Sequence, residues 1–74
     1  MRAVLLDALE KQYEAEIAAS DARIKLFLDH PVGISEHPNI LKEIDRELTQ
    51  VAEAEEKLNV LKDYVIPNEE KDAL

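Results

Sequence analysis

The sequence has no cysteine and a single glycine, Gly33, among its 74 residues. Without cysteine, disulfide bonds and thiolate metal sites are excluded, which fits a reducing compartment. Aromatic residues make up 4% of the chain, too few to form an array on which nucleic-acid bases stack. The chain also has no cysteine nucleophile and no glycine-rich phosphate loop. We therefore expect a protein without enzymatic activity and without a cofactor.

Basic residues are also few. The chain has 9 Lys and Arg against 17 Asp and Glu, for a formal net charge of -8, and no two basic residues adjoin. Nucleic acids and anionic membranes attract clusters of Lys and Arg, so neither is expected as a partner. No stretch approaches the ~20 apolar residues of a membrane-spanning helix. The sequence thus predicts a soluble, cytoplasmic protein.

Proline and glycine divide the chain into two long segments. Pro31, Gly33 and Pro38 cluster in a connector at residues 30–38, and Pro67 follows the second segment. Both segments are rich in Ala, Leu, Glu and Lys, which favour helix. We predict an all-α fold, an antiparallel two-helix hairpin with helices at about 3–29 and 36–66, because a short connector forces the helices to run side by side. Residues 1–66 form this hairpin, and residues 67–74 are predicted to be a disordered, polar, acidic tail.

The connector carries the signals that end one helix and begin the next. A residue that precedes proline avoids the α region, so His30 is predicted to end the first helix. Ser35 is the predicted N-cap of the second helix, with Glu36, His37 and Pro38 as its first turn.

Apolar residues recur at steps of three, four or seven in both segments, the pattern of one helix face. In the first segment the stripe includes Phe27 and skips one position at Ser20. In the second segment it is a heptad repeat of the coiled-coil type, with Glu55 and Lys62 as imperfect members. The predicted oligomer interface consists of Leu6, Leu9, Tyr13, Ile17, Ile24, Leu41, Ile44, Leu48, Val51, Leu58 and Val65.

Ile40, Ala54 and Leu61 widen the stripe of the second segment. A broad stripe suits a helix that contacts two neighbours, whereas two helices touch along one line. A domain of this size without disulfides needs another source of stability. We expect a homodimer in which two hairpins form a four-helix bundle.

The two histidines are the candidate metal ligands. His30 and His37 each lie between an acidic residue and a proline, in Asp29-His30-Pro31 and Glu36-His37-Pro38. Two imidazoles and two carboxylates around one turn are ligands that Zn²⁺ accepts. Their spacing matches no compact metal motif, so helix capping with solvated histidines is the favoured interpretation and no metal is expected.

The connector from Asp29 to Pro38, followed by Ile44-Asp45-Arg46-Glu47-Leu48 and the run at 52–58, resembles small uncharacterised proteins of tailed bacteriophages, including marine ones. The Pro-Val-Gly-Ile-x-Glu-His-Pro turn carries the match, and the resemblance covers most of residues 1–66. It implies a viral origin, the host cytoplasm as location, and a structural or accessory role. No functional residue follows from it.

Two functions fit these observations. The first is a small acidic helical protein that assembles with copies of itself as a structural or accessory component. The second is an acidic regulatory or inhibitory module that binds a basic partner protein, which the net charge of -8 favours.

Overall fold

The protein is a hairpin of two long α-helices. The structure, a computed structural model, describes the backbone of residues 1–30 and 39–73 and the side chains of residues 1–30 and 39–65. Helix α1 spans Arg2–Asp29 and helix α2 spans Ile40–Ala73. No strand occurs in these described ranges. The predicted all-α class and two-helix hairpin are confirmed.

The two helices run antiparallel along their length. Arg2, at the start of α1, donates from Nη2 to the backbone oxygen of Tyr64, late in α2, at 2.8 Å. Arg23, late in α1, lies against Glu47, early in α2. The molecule measures 57 × 17 × 16 Å, and its radius of gyration of 17.0 Å exceeds the roughly 11 Å of a compact domain of this length. A single hairpin is therefore a rod with little interior.

Helix α1 agrees with the predicted boundaries. It ends at Asp29, and the N–H of His30 donates to the oxygen of Leu26 at 2.9 Å, closing the last turn. The prediction that His30 ends the first helix is confirmed.

Helix α2 differs from its predicted boundaries at both ends. Asn39 forms a turn whose oxygen accepts from the N–H of Glu43 at 3.1 Å, so α2 begins at Ile40 instead of residue 36. Asparagine is a favourable residue at such a helix start. The predicted N-cap Ser35, the histidine His37 and the rest of residues 31–38 lie outside the described residues.

At its other end, α2 continues through Pro67 to Ala73, past the boundary predicted near residue 66 and into the segment expected to be a tail. Proline lacks an N–H, so Pro67 removes the hydrogen bond to the oxygen of Asp63, four residues earlier. The following residues include Glu69, Glu70 and Lys71, which favour helix. One lost backbone bond does not end the helix here.

Candidate interaction surface

The side chains enclosed between the two helices are few and mostly small. Among residues 1–30 and 39–65, the buried ones are Ser20 and Ala54, each 1% exposed, and Glu47 and Leu61, each 9% exposed. Only Leu61 is a large apolar side chain. The hairpin therefore encloses very little apolar surface in a single chain.

The face of α2 that contacts α1 differs from the face that the heptad repeat predicts. The predicted and the observed faces share the half-buried residues Ile44, Val51 and Leu58. The sequence pairs these with the row that begins at Leu41 and Leu48, whereas the structure pairs them with the row at Ile40, Glu47, Ala54 and Leu61. Glu55 and Lys62, the imperfect members of the heptad repeat, are both exposed.

A polar cluster at mid-hairpin explains how a glutamate occupies this inner row. Glu47 Oε1 lies 2.9 Å from Arg23 Nε. Arg23 Nη2 donates to Ser20 Oγ at 3.4 Å, so one guanidinium contacts both residues. The small Ser20 leaves room for the longer glutamate side chain at the contact. The ion pair neutralises the enclosed charge, although among the described residues Oε1 has no well-aligned hydrogen bond.

The charge of Glu47 is stabilised where it lies. Contact with Arg23 is the main cause that lowers the pKa of the Glu47 carboxyl below its ordinary value of 4.5. Burial opposes this, and the Ser20 hydroxyl and the charge of Arg46 add to the lowering. The carboxylate is therefore ionised at neutral pH, and its pair with Arg23 connects α1 to α2.

The row of α2 that begins at Leu41 and Leu48 faces away from α1, and its leucines are exposed. Leu41 is 81% exposed and Leu48 is 52% exposed. Burial in α2 recurs every seven residues, so this row keeps the same orientation relative to α1 along the helix. The two leucines therefore lie on one side of the hairpin, next to the half-buried Ile44 and Val51.

Farther along α2, near the open end of the hairpin, the surface is concave. A groove of about 550 Å³ opens between the first turns of α1 and the later part of α2. Leu6, Leu58, Leu61 and Val65 supply its apolar wall. It exists because α1 presents the small Ala3 at this level and Glu10 about two turns farther on, and neither fills the space. The other residues that line the groove are charged or aromatic: Arg2, Asp7, Glu10, Lys62 and Tyr64.

The other side of the hairpin is shallower. Lys57 Nζ lies 5.5 Å from the centre of the Tyr13 ring, a cation–π contact between the helices. Leu5, Leu26 and Val60 are also exposed, at 56%, 55% and 45%. These apolar side chains lie outside the groove.

The structure separates the predicted interface residues into two sets. Seven are half-buried against the other helix of the same chain: Leu6, Tyr13, Ile17, Ile24, Ile44, Val51 and Leu58. Four are exposed: Leu9, Leu41, Leu48 and Val65. The half-buried set already packs within the hairpin, and the exposed set is available to a second molecule.

The structure brings no metal ligands together among the residues it describes. His30 is exposed and caps α1, and His37 lies outside the described residues. No group of three or more His, Asp or Glu side chains that could hold an ion occurs in the described part of the chain. His30 therefore gives no support to a metal site.

Comparison with protein-family models, with curated proteins and with solved structures gives no match for this chain. Within the described ranges, neither helix has the long apolar stretch needed to cross a membrane.

Proposed function

We propose that this protein is a non-enzymatic helical component that self-assembles, two hairpins forming a four-helix bundle with a structural or accessory role. The observation that carries the proposal is the large surface of one chain. Its accessible area is 5920 Å². A folded monomer of 8.4 kDa is expected to expose about 4,600 Å², so the hairpin exposes roughly 1,300 Å² more than a compact protein of its mass.

This excess has the size of a protein interface. A standard complex buries about 800 Å² on each partner, and obligate homodimers bury more. The excess of roughly 1,300 Å² therefore lies within the range of surface that one subunit of a stable homodimer buries. The character of the surface agrees, because Leu41, Leu48 and Val65 are exposed along one helix. Covering these side chains supplies the apolar burial that the single hairpin lacks.

The resemblance of the connector to small proteins of tailed bacteriophages supports an accessory structural role. Such a role needs a stable, soluble assembly and no pocket for chemistry. The net charge of -8 keeps a small assembly soluble and discourages unspecific aggregation.

The same charge favours the second candidate, an acidic module that binds a basic protein. The two functions differ in the sign of their salt dependence. Self-association brings two chains of charge -8 together, so salt that screens their repulsion strengthens it. Binding to a basic partner is attractive electrostatically, so salt weakens it.

Size-exclusion chromatography with light scattering over a series of salt concentrations tests the proposal. We expect a dimer whose population rises with salt. A chain that stays monomeric at every salt concentration contradicts self-assembly and leaves the acidic module as the remaining candidate.

A further inference from the structure

The exposed leucines and the apolar groove lie on the same side of α2. Leu41 and Leu48 begin a row that continues at seven-residue steps through Glu55 to Lys62, and Lys62 lines the groove. The groove's Leu58 and Val65 belong to the adjacent row that begins at Ile44. One side of the hairpin therefore presents projecting leucines near the connector and an apolar hollow near the open end.

We propose that this side binds a second copy of the chain in an antiparallel, two-fold symmetric dimer, with Leu41 and Leu48 of each copy seated in the groove of the other. The inference rests on the proposed self-assembly and specifies its geometry. A two-fold contact is self-complementary, so a surface that carries both a projection and a matching hollow pairs with itself when one copy is reversed.

The spacing of the residues fits this arrangement. Leu41 and Leu48 are seven positions apart, and so are Leu58 and Val65; in a helix each pair spans about 10 Å. When one α2 is reversed against the other, a single register places Leu41 on Val65 and Leu48 on Leu58. The symmetry repeats both contacts, so four leucine insertions form around an axis at the level of residue 53.

The same register joins opposite charges. It brings Lys62 of one copy close to Asp45 of the second copy. Neither side chain forms an ion pair within the described residues of its own chain. A parallel two-fold dimer instead sets Glu55 against Glu55 and Lys62 against Lys62, which is repulsive. The two Lys62–Asp45 contacts therefore favour the antiparallel arrangement, in which the Glu55 side chains of the two copies are offset by about four residues, or about 6 Å, along the helix.

The cysteine-free chain allows a direct test by cross-linking. We compare Leu41→Cys, Val65→Cys and the double variant after mild oxidation, on non-reducing gels. A disulfide needs Cα atoms within about 7 Å. Positions 41 and 65 lie about 36 Å apart on one helix, so the double variant can join them only between chains. We expect covalent dimers from the double variant and none from either single variant.

A matched pair of charge substitutions adds a second readout. Leu48→Glu places a carboxylate in the groove and should weaken dimerisation roughly 30-fold or more, as the loss of a central contact does. Leu26→Glu is the control, because Leu26 is exposed to nearly the same extent, 55% against 52%, but lies on α1 outside the groove. It should leave the dissociation constant within a few-fold of wild type. Circular dichroism confirms that both variants remain helical.

The outcomes separate this geometry from the broader proposal. Efficient cross-linking of Leu41→Cys alone, or equal effects of Leu48→Glu and Leu26→Glu, overturns the antiparallel contact while a dimer persists. A wild-type chain that is monomeric throughout overturns the contact and self-assembly together.

Discussion

Replacing Glu47 with glutamine removes one charge from the polar cluster and changes its shape very little. Glutamine keeps the length of the side chain and an oxygen that can lie beside Arg23. The variant therefore measures the electrostatic part of the contact between Glu47 Oε1 and Arg23 Nε, which are 2.9 Å apart.

The expected loss lies between two limits. Exposed ion pairs contribute about 0–1 kcal/mol, whereas breaking a fully buried pair costs about 3–5 kcal/mol. Glu47 is enclosed, with 11% of its side chain exposed, but Arg23 is 50% exposed and partly screened by water. We expect Glu47→Gln to lower the free energy of unfolding by about 1 kcal/mol, which lowers the Tm of a domain this size by about 4–8 °C.

An ion pair of equal length on the surface supplies the control. Lys25 Nζ lies 2.9 Å from Asp21 Oδ2, with both side chains more than half exposed. Asp21→Asn should leave the Tm close to that of wild type. Thermal unfolding is followed by circular dichroism at one protein concentration, because association makes the Tm concentration-dependent.

The effect should also depend on pH. The pKa of Glu47 is lowered in the folded state, mainly by Arg23, from its ordinary value of 4.5. A group with a lowered pKa contributes stability above its unfolded pKa and loses it as the pH falls through the folded pKa. The difference in Tm between wild type and Glu47→Gln should be full at neutral pH and shrink below about pH 4.5. Equal losses for Glu47→Gln and Asp21→Asn, or a difference that grows in acid, would refute this reasoning.

Three other substitutions test the packing of the hairpin. Leu61→Ala should cost about 2–3 kcal/mol in urea unfolding, because Leu61 is the one large apolar side chain that the described residues bury; Leu26→Ala should change stability by less than about 0.5 kcal/mol, and equal losses would contradict the assigned core. Ala54→Leu should cost about 1–3 kcal/mol, because Ala54 is 1% exposed and has no room for a larger side chain; an unchanged urea midpoint would show that the helices are not closely packed there. Pro67→Ala restores an N–H inside α2 and should raise the urea midpoint with little change in helical ellipticity, because α2 already continues through Pro67; a large gain in ellipticity would argue against helix beyond Pro67.

The sequence predicts the first helix well because local patterns decide it. The apolar stripe of α1 contains Tyr13, Ile17 and Ile24, and the structure half-buries all three against α2. Ser20, which interrupts the stripe, is nonetheless the most enclosed residue of α1 at 1% exposure. A small side chain in an apolar stripe therefore marks the position of closest contact.

The face of α2 that contacts α1 cannot be predicted in this way, because two rows of residues flank the same apolar residues of that helix. Hydrophobicity favours the row of Leu41 and Leu48 over the row that contains Glu47. In the structure, however, the row that contains Glu47 faces α1. The deciding partners, Ser20 and Arg23, lie on α1, so no pattern within α2 reveals them. The apolar pattern at Leu41 and Leu48 still predicts an apolar contact, but within one chain both side chains remain exposed.

The mass of the protein in solution tests the central claim most directly. The hairpin exposes 5920 Å² and encloses only Ala54 and Leu61 as buried apolar residues among those described, so it should not persist alone. Sedimentation equilibrium of the wild-type chain, at several concentrations and physiological salt, should give twice the chain mass of 8.4 kDa. A helical species that sediments as a single 8.4 kDa chain at every concentration would contradict the claim.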